Sequence, residues 1–242
     1  MDLQGKTAIV TGGAVRLGRA LAIGLAEAGV DVCVHHAHST AAARDTLTEI
    51  TRRGVRGISV QADFTEPVAA ARNVFERAIA EFGRVDLLIN SAAIFEPGLL
   101  AETTEDQWDR HFAINLKAPF FLAQEFAAAL PAESRGHIVN IADWRGLRPP
   151  PGHDAYTLTK SALVAMTRML AVELGPRIQV NAIAPGLILP PPGEDESYLR
   201  RMAEAIPLRR PGSPADVVAA MLYLLRSDFV TGDVLSVTGG EG

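Results

Sequence analysis

Short apolar runs alternate with stretches of helical length along the whole chain, and this alternation restricts its fold more than any other feature. The runs are rich in Val and Ile without polar alternation, which is typical of strands buried on both faces of a parallel sheet. We predict strands at 7–11, 31–35, 57–62, 85–90, 137–142, 178–184 and 234–237. We predict helices at about 16–29, 40–53, 66–82, 104–130, 155–174, 196–205 and 214–226. The pattern indicates one α/β domain over residues 1–242, with a doubly wound parallel sheet of about seven strands flanked by helices.

Composition and charge exclude several classes of protein. The 242 residues carry a net charge of −5 and no long run of Lys or Arg, so we expect no nucleic-acid partner. The most apolar helical region, 118–132, is interrupted by Gln124, Glu125 and Pro131 and is too short and polar to cross a bilayer. Nothing at the N-terminus resembles a signal peptide, and the single Cys33 fits a reducing compartment. We therefore expect a soluble, cytoplasmic protein without a membrane partner.

A glycine-containing turn, from Thr11 to Gly18, joins the first predicted strand to the first helix. Such a turn lets backbone N–H groups face a phosphate, with the positive end of the helix dipole behind them. The regular G-x-G-x-x-G spacing is absent, and a plain strand-to-helix turn is the alternative. Its place after the first strand of a βαβ chain favours the phosphate site, and with it a Rossmann-type sheet.

Tyr156 and Lys160 stand four residues apart at the start of a predicted helix. This spacing places a phenol and an ammonium on one helix face. A phenol at such a site can act as a general acid, which donates a proton to a substrate atom as negative charge grows on that atom. A nearby ammonium stabilises the phenolate and makes the phenol a better donor. An ordinary helix face is the alternative, but together with the phosphate turn and the strand order the pair predicts a catalytic site.

These motifs resemble the short-chain dehydrogenase/reductase family, which opens with T-G-x-x-x-G-x-G and carries Y-x-x-x-K at its active site. The matching residues here are Thr11, Gly12, Gly18, Tyr156 and Lys160. Arg16 replaces the middle glycine, and this variant resembles the pteridine reductase branch, in which the arginine contacts the cofactor's phosphates. The resemblance covers essentially the whole chain. It implies that Lys160 also binds the nicotinamide ribose.

The end of the second predicted strand indicates the type of cofactor. It carries His35, His36, His38 and Ser39 and no acidic residue. A cofactor without a 2′-phosphate is usually held by an acid at this position, whereas imidazoles, a hydroxyl and Arg16 can donate to a phosphate. The pteridine reductases similarly place His and Ser here, so we predict NADP(H). Three histidines could instead bind a metal, but no acidic or cysteine ligand accompanies them, and we predict no metal site.

The resemblance implies further cofactor contacts at the later strand ends. Asp63 and Phe64 would border the adenine, although Asp63 could instead cap the following helix. The N-x-x-x-P-G motif ending at Gly186 would contact the nicotinamide carboxamide, and residues 187–207 would form a substrate lid. The full predicted cofactor set is Gly12, Arg16, Leu17, Gly18, His35, His38, Ser39, Asp63, Phe64, Asn90, Ser91, Ala92, Tyr156, Lys160, Pro185, Gly186 and Leu187.

Asp143 stands thirteen residues before Tyr156, where most of the superfamily has a serine. A serine hydroxyl would donate to the substrate oxygen, which an ionised carboxylate cannot do. The site is therefore either inactive, or Asp143 acts as a protonated donor or a proton relay to Tyr156, as the similar aspartate does in pteridine reductases. The agreement with Arg16 and the histidine-bearing strand favours the relay. The resemblance also assigns Asn115 to a water that connects the lysine to solvent.

The resemblance is incomplete at the substrate wall. The pteridine reductases have a serine and a phenylalanine that anchor the pterin, and the corresponding residues here are Ala92 and Ile94. Phe95 or Trp144 could supply an aromatic wall instead, unless they belong to the core. Pro149–Pro151 and Pro190–Pro192 either stiffen two loops beside the entrance or form plain surface turns.

The expected function is an NADPH-dependent reductase acting on a pterin. A carbonyl, 3-oxoacyl or quinone reductase on the same fold is the second hypothesis. A noncatalytic NADP(H)-binding sensor is the third, because the serine is missing. By analogy we expect a homotetramer, since C-terminal segments such as 236–240 often pack between subunits.

Overall fold

Seven strands form one parallel sheet in the computed structural model, which describes residues 1–191 and 193–241. The strands are β1 (Thr7–Val10), β2 (Asp31–His36), β3 (Gly57–Gln61), β4 (Leu87–Asn90), β5 (Gly136–Ile141), β6 (Ile178–Pro185) and β7 (Val234–Val237). Their order in the sheet is β3-β2-β1-β4-β5-β6-β7, and every neighbouring pair is parallel. The prediction of a doubly wound α/β sheet is confirmed.

Helices connect the strands and cover both faces of the sheet. They are α1 (Arg16–Glu27), α2 (Thr40–Thr51), α3 (Pro67–Phe82), α4 (Glu105–Phe112), α5 (Ala118–Ala129), α6 (Asp154–Leu174), α7 (Glu196–Ala203) and α8 (Pro214–Arg226). The single helix predicted over 104–130 is interrupted by a π-helical turn, Ala113–Lys117, between α4 and α5. Such turns often accompany functional sites, and this one contains Asn115. Within the described residues, none of these helices has the length and apolar character needed to cross a membrane.

Two hydrophobic layers enclose the sheet, because alternate residues of a strand face opposite sides. On one side Ile9 and Leu88 pack with residues of α3, α5 and α6, including the fully buried Phe126. On the other side Val10 packs with residues of α1, α2 and α8, including Leu21. Burial on both faces explains why the strands appear in the sequence as continuous apolar runs.

The order in which successive strands are added to the sheet reverses between β1 and β4, which are neighbours at the middle of the sheet. In open parallel sheets a crevice forms at this switch point, beyond the carboxyl ends of the strands. Thr11 joins the two strand ends, since its Oγ1 accepts hydrogen bonds from the backbone N–H groups of Ser91 (2.9 Å) and Ala92 (3.0 Å). The sheet therefore places the glycine turn after β1 directly beside the segment that follows β4.

Two buried histidines predict how stability depends on pH. Burial lowers the pKa of His35 and that of His137 to about 4 from the usual 6.5. Between these values the unfolded chain binds more protons than the folded one, so the free energy of unfolding is highest above pH 6.5 and falls as the pH drops toward 4. Each histidine contributes at most on the order of 3 kcal/mol to this loss. Urea titrations across this pH range should show the decline.

The variant H137Q should flatten the decline, because a glutamine does not titrate. H38Q makes the same substitution at an exposed position and supplies the matched control. Parallel curves for H137Q and the wild type would contradict the assignment to His137.

Candidate active site

A cleft of about 310 Å³ lies at the carboxyl ends of the central strands. It brings together the glycine turn, the segment after β4, the end of β5, the first turn of α6 and the segment after β6. Its lining residues are Gly12, Val15, Arg16, Leu17, Gly18, Ser91, Ala92, Ala93, Ile141, Ala142, Asp143, Tyr156, Lys160, Pro185, Gly186, Ile188 and Leu189. Ten of the seventeen predicted cofactor residues, together with Asp143, therefore line one cavity.

The glycine turn leaves no room for side chains where it passes the neighbouring segments. Gly12 has φ +62°, and a Cβ added there would lie 2.9 Å from the Cα of Ala92. A Cβ on Gly18 would lie 2.1 Å from the carbonyl oxygen of Gly12. The first turn of α1 has no side-chain cap and no acidic residue. An uncapped helix N-terminus of this kind is suited to binding an anion.

Arg16 adopts an unusual backbone conformation at the start of α1. Its φ is +51°, in the left-handed region that favours glycine. The side chain crosses to the segment after β6, where its Nη2 donates to the carbonyl oxygen of Pro190 at 2.6 Å. Of the predicted loop Pro190–Pro192, Pro192 lies outside the described residues. The strained backbone holds a positive charge at the cleft, and the observed contact joins the phosphate turn to the predicted lid.

His35 has a different environment from the one expected. Its Nδ1 accepts from the backbone N–H of Gly12 at 3.2 Å, and its Nε2 donates to the carbonyl oxygen of Ala62 at 3.0 Å. The ring stacks on Phe64 with centroids 4.1 Å apart, and both side chains are buried. With both nitrogens engaged and the ring neutral, His35 has no free donor for a 2′-phosphate. The His35 ring therefore holds the glycine turn through its hydrogen bond with Gly12, and Phe64 holds the ring by stacking on it.

The remaining polar residues near the ends of β2 and β3 lie outside the cleft. His38 is exposed and Ser39 is half-buried. Asp63 is exposed and accepts from the backbone N–H of Thr65 at 2.9 Å. It therefore closes a short turn and does not cap α3, whose N-cap residue is Glu66. The cofactor contacts assigned to these side chains stay predictions.

Tyr156 and Asp143 form the central contact of the site. The phenol donates to Oδ2 of Asp143 at 2.8 Å, while Oδ1 accepts from the backbone N–H of Arg145 at 2.8 Å. Both oxygens of Asp143 are thus engaged, Oδ2 by the phenol and Oδ1 by the backbone. Burial, followed by the negative charge of Asp143, raises the pKa of Tyr156 well above its usual range. The phenol therefore keeps its proton.

The ammonium of Lys160 is directed at the backbone and lies beside the phenol ring. Its Nζ donates to the carbonyl oxygen of Ile141 at 2.7 Å and lies 5.6 Å from the centroid of the Tyr156 ring. Burial lowers the pKa of the lysine to about 8, and Asp143 opposes that shift. The Asp143 carboxylate, which the usual family pattern lacks, therefore affects the protonation of the Tyr156 phenol more than the Lys160 ammonium does.

Three buried asparagines hold the framework of the site. Oδ1 of Asn115 accepts from the backbone N–H of Ile94 at 2.9 Å, and its Nδ2 donates to the carbonyl of Ile94 at 3.0 Å. This pairing needs the side chain to turn toward the loop after β4, which the π-helical turn permits. Nδ2 of Asn90 donates to Oδ1 of Asn140 at 2.8 Å and connects β4 with β5. A water anchored at Asn115 stays a prediction.

An aromatic cluster stands beside the phenol. Phe95 meets Tyr156 edge-on with centroids 4.7 Å apart, and it stacks on His153 at 4.1 Å. Trp144 lies in the short 3₁₀ turn Trp144–Gly146 and contacts the guanidinium of Arg145. The aromatic wall predicted at Phe95 is therefore close to the catalytic residues.

Pro149–Pro151 line a separate groove with Trp108 instead of the cleft. They lie in an irregular segment at the surface, and the stiffening of the entrance stays a prediction.

Three residues of the site carried no recognisable sequence signal: Arg145, His153 and Glu241. The Glu241 carboxylate accepts from the backbone N–H of Leu187 at 3.0 Å, and burial raises its pKa. Leu187 belongs to the predicted cofactor set and directly follows the motif assigned to the nicotinamide carboxamide. Glu241 approaches Leu187 because the backbone N–H of Gly186 donates to the carbonyl of Val237, which brings the C-terminal segment to the end of β6. Only the pairing of β6 with β7 reveals this contact.

Comparisons with known proteins agree with this geometry. A family model described as enoyl-(acyl carrier protein) reductase matches residues 13–241. The chain belongs to the short-chain dehydrogenase/reductase family. The 2-dehydro-3-deoxy-D-gluconate 5-dehydrogenase of Dickeya dadantii is 35% identical over 251 residues, which cover 99% of this chain and 96% of the relative. The 3-oxoacyl-(acyl-carrier-protein) reductase FabG of Staphylococcus epidermidis is 32% identical over 240 residues, covering 97% and 98%.

A solved structure of the family is closely similar over the whole chain. The FolM alternative dihydrofolate reductase 1 of Brucella canis, complexed with NADP, superimposes with a TM-score of 0.94 at 34% identity. The match covers 99% of this chain and 94% of that one. This protein is accordingly an NADP-dependent short-chain oxidoreductase that acts on a small molecule, and the hypothesis of a noncatalytic sensor loses its support.

Two substitutions at Arg16 separate its backbone strain from its charge. R16G should raise the free energy of unfolding by about 1 kcal/mol, because glycine adopts a positive φ without strain. It should also weaken NADPH binding about tenfold, because a charge-assisted contact is lost. R16A removes the same charge and retains the strain, so it should weaken binding equally without the gain in stability. Denaturant unfolding and NADPH fluorescence titration measure the two quantities, and unchanged NADPH affinity in both variants would refute the phosphate contact.

Proposed function

We propose that this protein reduces the C=N bond of a pterin with NADPH. The observation that carries the proposal is the 2.8 Å hydrogen bond from Tyr156 to Asp143, in a position where the family usually has a serine. Aspartate at this position, together with Arg16, is the pattern that resembles the pteridine reductases. The structural similarity to a protein named alternative dihydrofolate reductase supports the same substrate class.

Tyr156 acts as the proton donor in this proposal. Burial and the charge of Asp143 keep the phenol protonated, which is the state needed for reduction. Asp143 orients the phenol, and a hydrogen bond from the backbone N–H of Arg145 holds the Asp143 carboxylate in place. As negative charge grows on the substrate nitrogen, the proton moves from the phenol to it, and the nearby Lys160 ammonium stabilises the phenolate that forms.

The residues of the cleft fit NADP(H). The uncapped start of α1, the positive charge of Arg16 and the close-packed glycines would hold its phosphates, and Gly186 and Leu187 would border its nicotinamide. When bound, the cofactor supplies the hydride. Residues 187–207, apart from the undescribed Pro192, would form the lid, and the Arg16–Pro190 hydrogen bond would fasten it. Ala92, Ile94 and Phe95 would border the substrate.

A carbonyl reductase is the second candidate function. It is favoured by Ala92 and Ile94, which lack the polar and aromatic groups that anchor a pterin in the branch this chain resembles. Relatives named 3-oxoacyl-(acyl-carrier-protein) reductase support it as well. In this case the proton donor and cofactor residues are unchanged and only the substrate differs. The cytoplasmic location stays a prediction under both candidates.

A substrate panel with matched variants tests the proposal. The wild type should consume NADPH with dihydropterin faster than with a quinone or a 3-oxoacyl ester. Y156F should lower kcat by a factor of about 10² to 10⁴, because the general acid is removed. The exposed Tyr223 gives the control, and Y223F should leave kcat unchanged. Turnover of the other substrates but not of dihydropterin would overturn the pterin assignment, and full activity in Y156F would overturn the role of the phenol.

D143N should change the pH dependence of the same reaction. Removing the carboxylate removes a cause of the raised pKa of Tyr156, so the phenol loses its proton at a lower pH. The alkaline decline of kcat should therefore move to lower pH in D143N than in the wild type. Profiles of kcat against pH measure this shift, and coinciding alkaline limbs would contradict the role of Asp143.

We also propose a homotetramer. One apolar face on α4, α5 and α6 contains grooves of about 810 and 710 Å³ and exposes Trp108, Phe120 and Met169. Tyr223 and Phe229 are exposed elsewhere, on α8 and just after it. Exposed apolar patches are characteristic of interaction surfaces, and two distinct self-complementary faces per chain generate a closed tetramer.

Light scattering should give a mass about four times the 25.8 kDa of one chain. M169E should reduce that mass by placing charge in the first face, whereas V68E, a similar change at an exposed residue of α3, should not. A monomeric wild type would refute the proposal.

A further inference from the structure

Arg145 is a positively charged residue beside the catalytic pair that the proposed chemistry has not used. It lies two residues after Asp143, in the 3₁₀ turn Trp144–Gly146. Its Nη1 is 3.8 Å from Oδ1 of Asp143, while Oδ2 of the same carboxylate receives the phenol of Tyr156. The guanidinium and the phenol therefore lie on the two sides of a single carboxylate group.

Aromatic rings hold the guanidinium in this position. Its central carbon is 4.8 Å from the ring centroid of Trp144 and 5.5 Å from that of Phe95. Phe95 also contacts the edge of Tyr156, so one ring touches both the cation and the proton donor. The side chain of Arg145 is 25% exposed, and cation–π contacts strengthen when the cation is shielded from water.

The hydrogen-bonding capacity of Arg145 is largely unused. A guanidinium has five N–H donors, yet the distance from Nη1 to Asp143 is too long for a hydrogen bond. Nε is buried and has no hydrogen-bond partner among the described residues. Glu241 is the other nearby carboxylate, and it already accepts from the backbone N–H of Leu187. A buried donor without a partner is costly, so a ligand that supplies a planar acceptor group would be favoured here.

We propose that Arg145 determines substrate specificity by donating to an acceptor group that lies a few bonds from the double bond being reduced. The phenol and the guanidinium contact the two oxygens of one carboxylate, and this arrangement sets that spacing. Phe95 favours a flat conjugated molecule. The substrate class is a planar compound with adjacent acceptors, either two neighbouring carbonyls or a C=N bond next to a ring carbonyl. Pterins belong to this class. The inference rests on the proposed reductase function and narrows its substrate.

The test compares two flat ketones that differ in one acceptor. Phenanthrenequinone has two adjacent carbonyls, and fluorenone has a single carbonyl on a similar ring system. Their kcat and KM, and those of dihydropterin, are measured anaerobically with NADPH for the wild type, R145Q and R145K. Arg148, an exposed arginine close by in the chain, gives the control variant R148Q. Melting temperature and NADPH affinity establish that each variant is folded and binds its cofactor.

R145Q should raise KM for phenanthrenequinone and dihydropterin by at least about tenfold more than for fluorenone, because only the first two lose a charge-assisted contact. R145K should recover part of the loss, since a lysine keeps the charge without the planar fork. R148Q should resemble the wild type. Equal losses on all substrates, confined to kcat, would mean that Arg145 only positions Asp143 and would overturn the inference. Values of kcat and KM in R145Q equal to those of the wild type would also overturn the inference.

The outcomes separate this inference from the proposed function. If the wild type reduces both ketones but not dihydropterin, the pterin assignment is rejected. The comparison of the two ketones then still tests the role of Arg145. Wild-type activity on dihydropterin with an unaffected R145Q would uphold the pterin and reject the role of Arg145. A wild type that turns over none of the compounds would reject both.

Discussion

The parallel arrangement of the strands is the constraint on which the rest of this structure depends. Because every strand points the same way, all carboxyl ends lie along one edge of the sheet. Residues far apart in the chain, from Gly12 to Glu241, meet at that edge. Thr11 fixes the centre of the arrangement by binding the backbone after β4, and Asn90 fixes the next strand through Asn140. Catalytic geometry is therefore a consequence of strand order.

Within that framework, electrostatics determine how the site works. Burial, and then the carboxylate that replaces the usual hydroxyl beside it, raise the pKa of Tyr156, so the phenol keeps its proton. The buried Lys160 ammonium is directed to the carbonyl of Ile141, and Arg145 lies on the far side of Asp143. A protonated phenol is the state that the proposed reduction requires.

Sequence reasoning succeeded where the signal was local and failed where it was not. Strands, most helices and the Tyr–Lys pair follow from periodicity and spacing, and the structure has them within a few residues of the predicted bounds. The predicted helix over 104–130 contains a π-helical turn, because Asn115 pairs with the backbone of Ile94 on another segment. His35 matched a phosphate-binding pattern, yet its ring is occupied by Gly12 and Ala62. These partners lie on other segments of the chain, so a pattern of neighbouring residues in the sequence does not predict them.

The sequence by itself determined the sheet class, the glycine turn, the place of the Tyr156–Lys160 pair on one helix, and the family, since each depends on residues close together in the chain. Only the tertiary structure decided the protonation of Tyr156, the neutral and engaged state of His35, and the approach of Arg145 and Glu241 to the site. These properties depend on burial and on charges brought together from separate elements. Desolvation and Coulomb interactions act through space, and so the order of residues along the chain does not specify them.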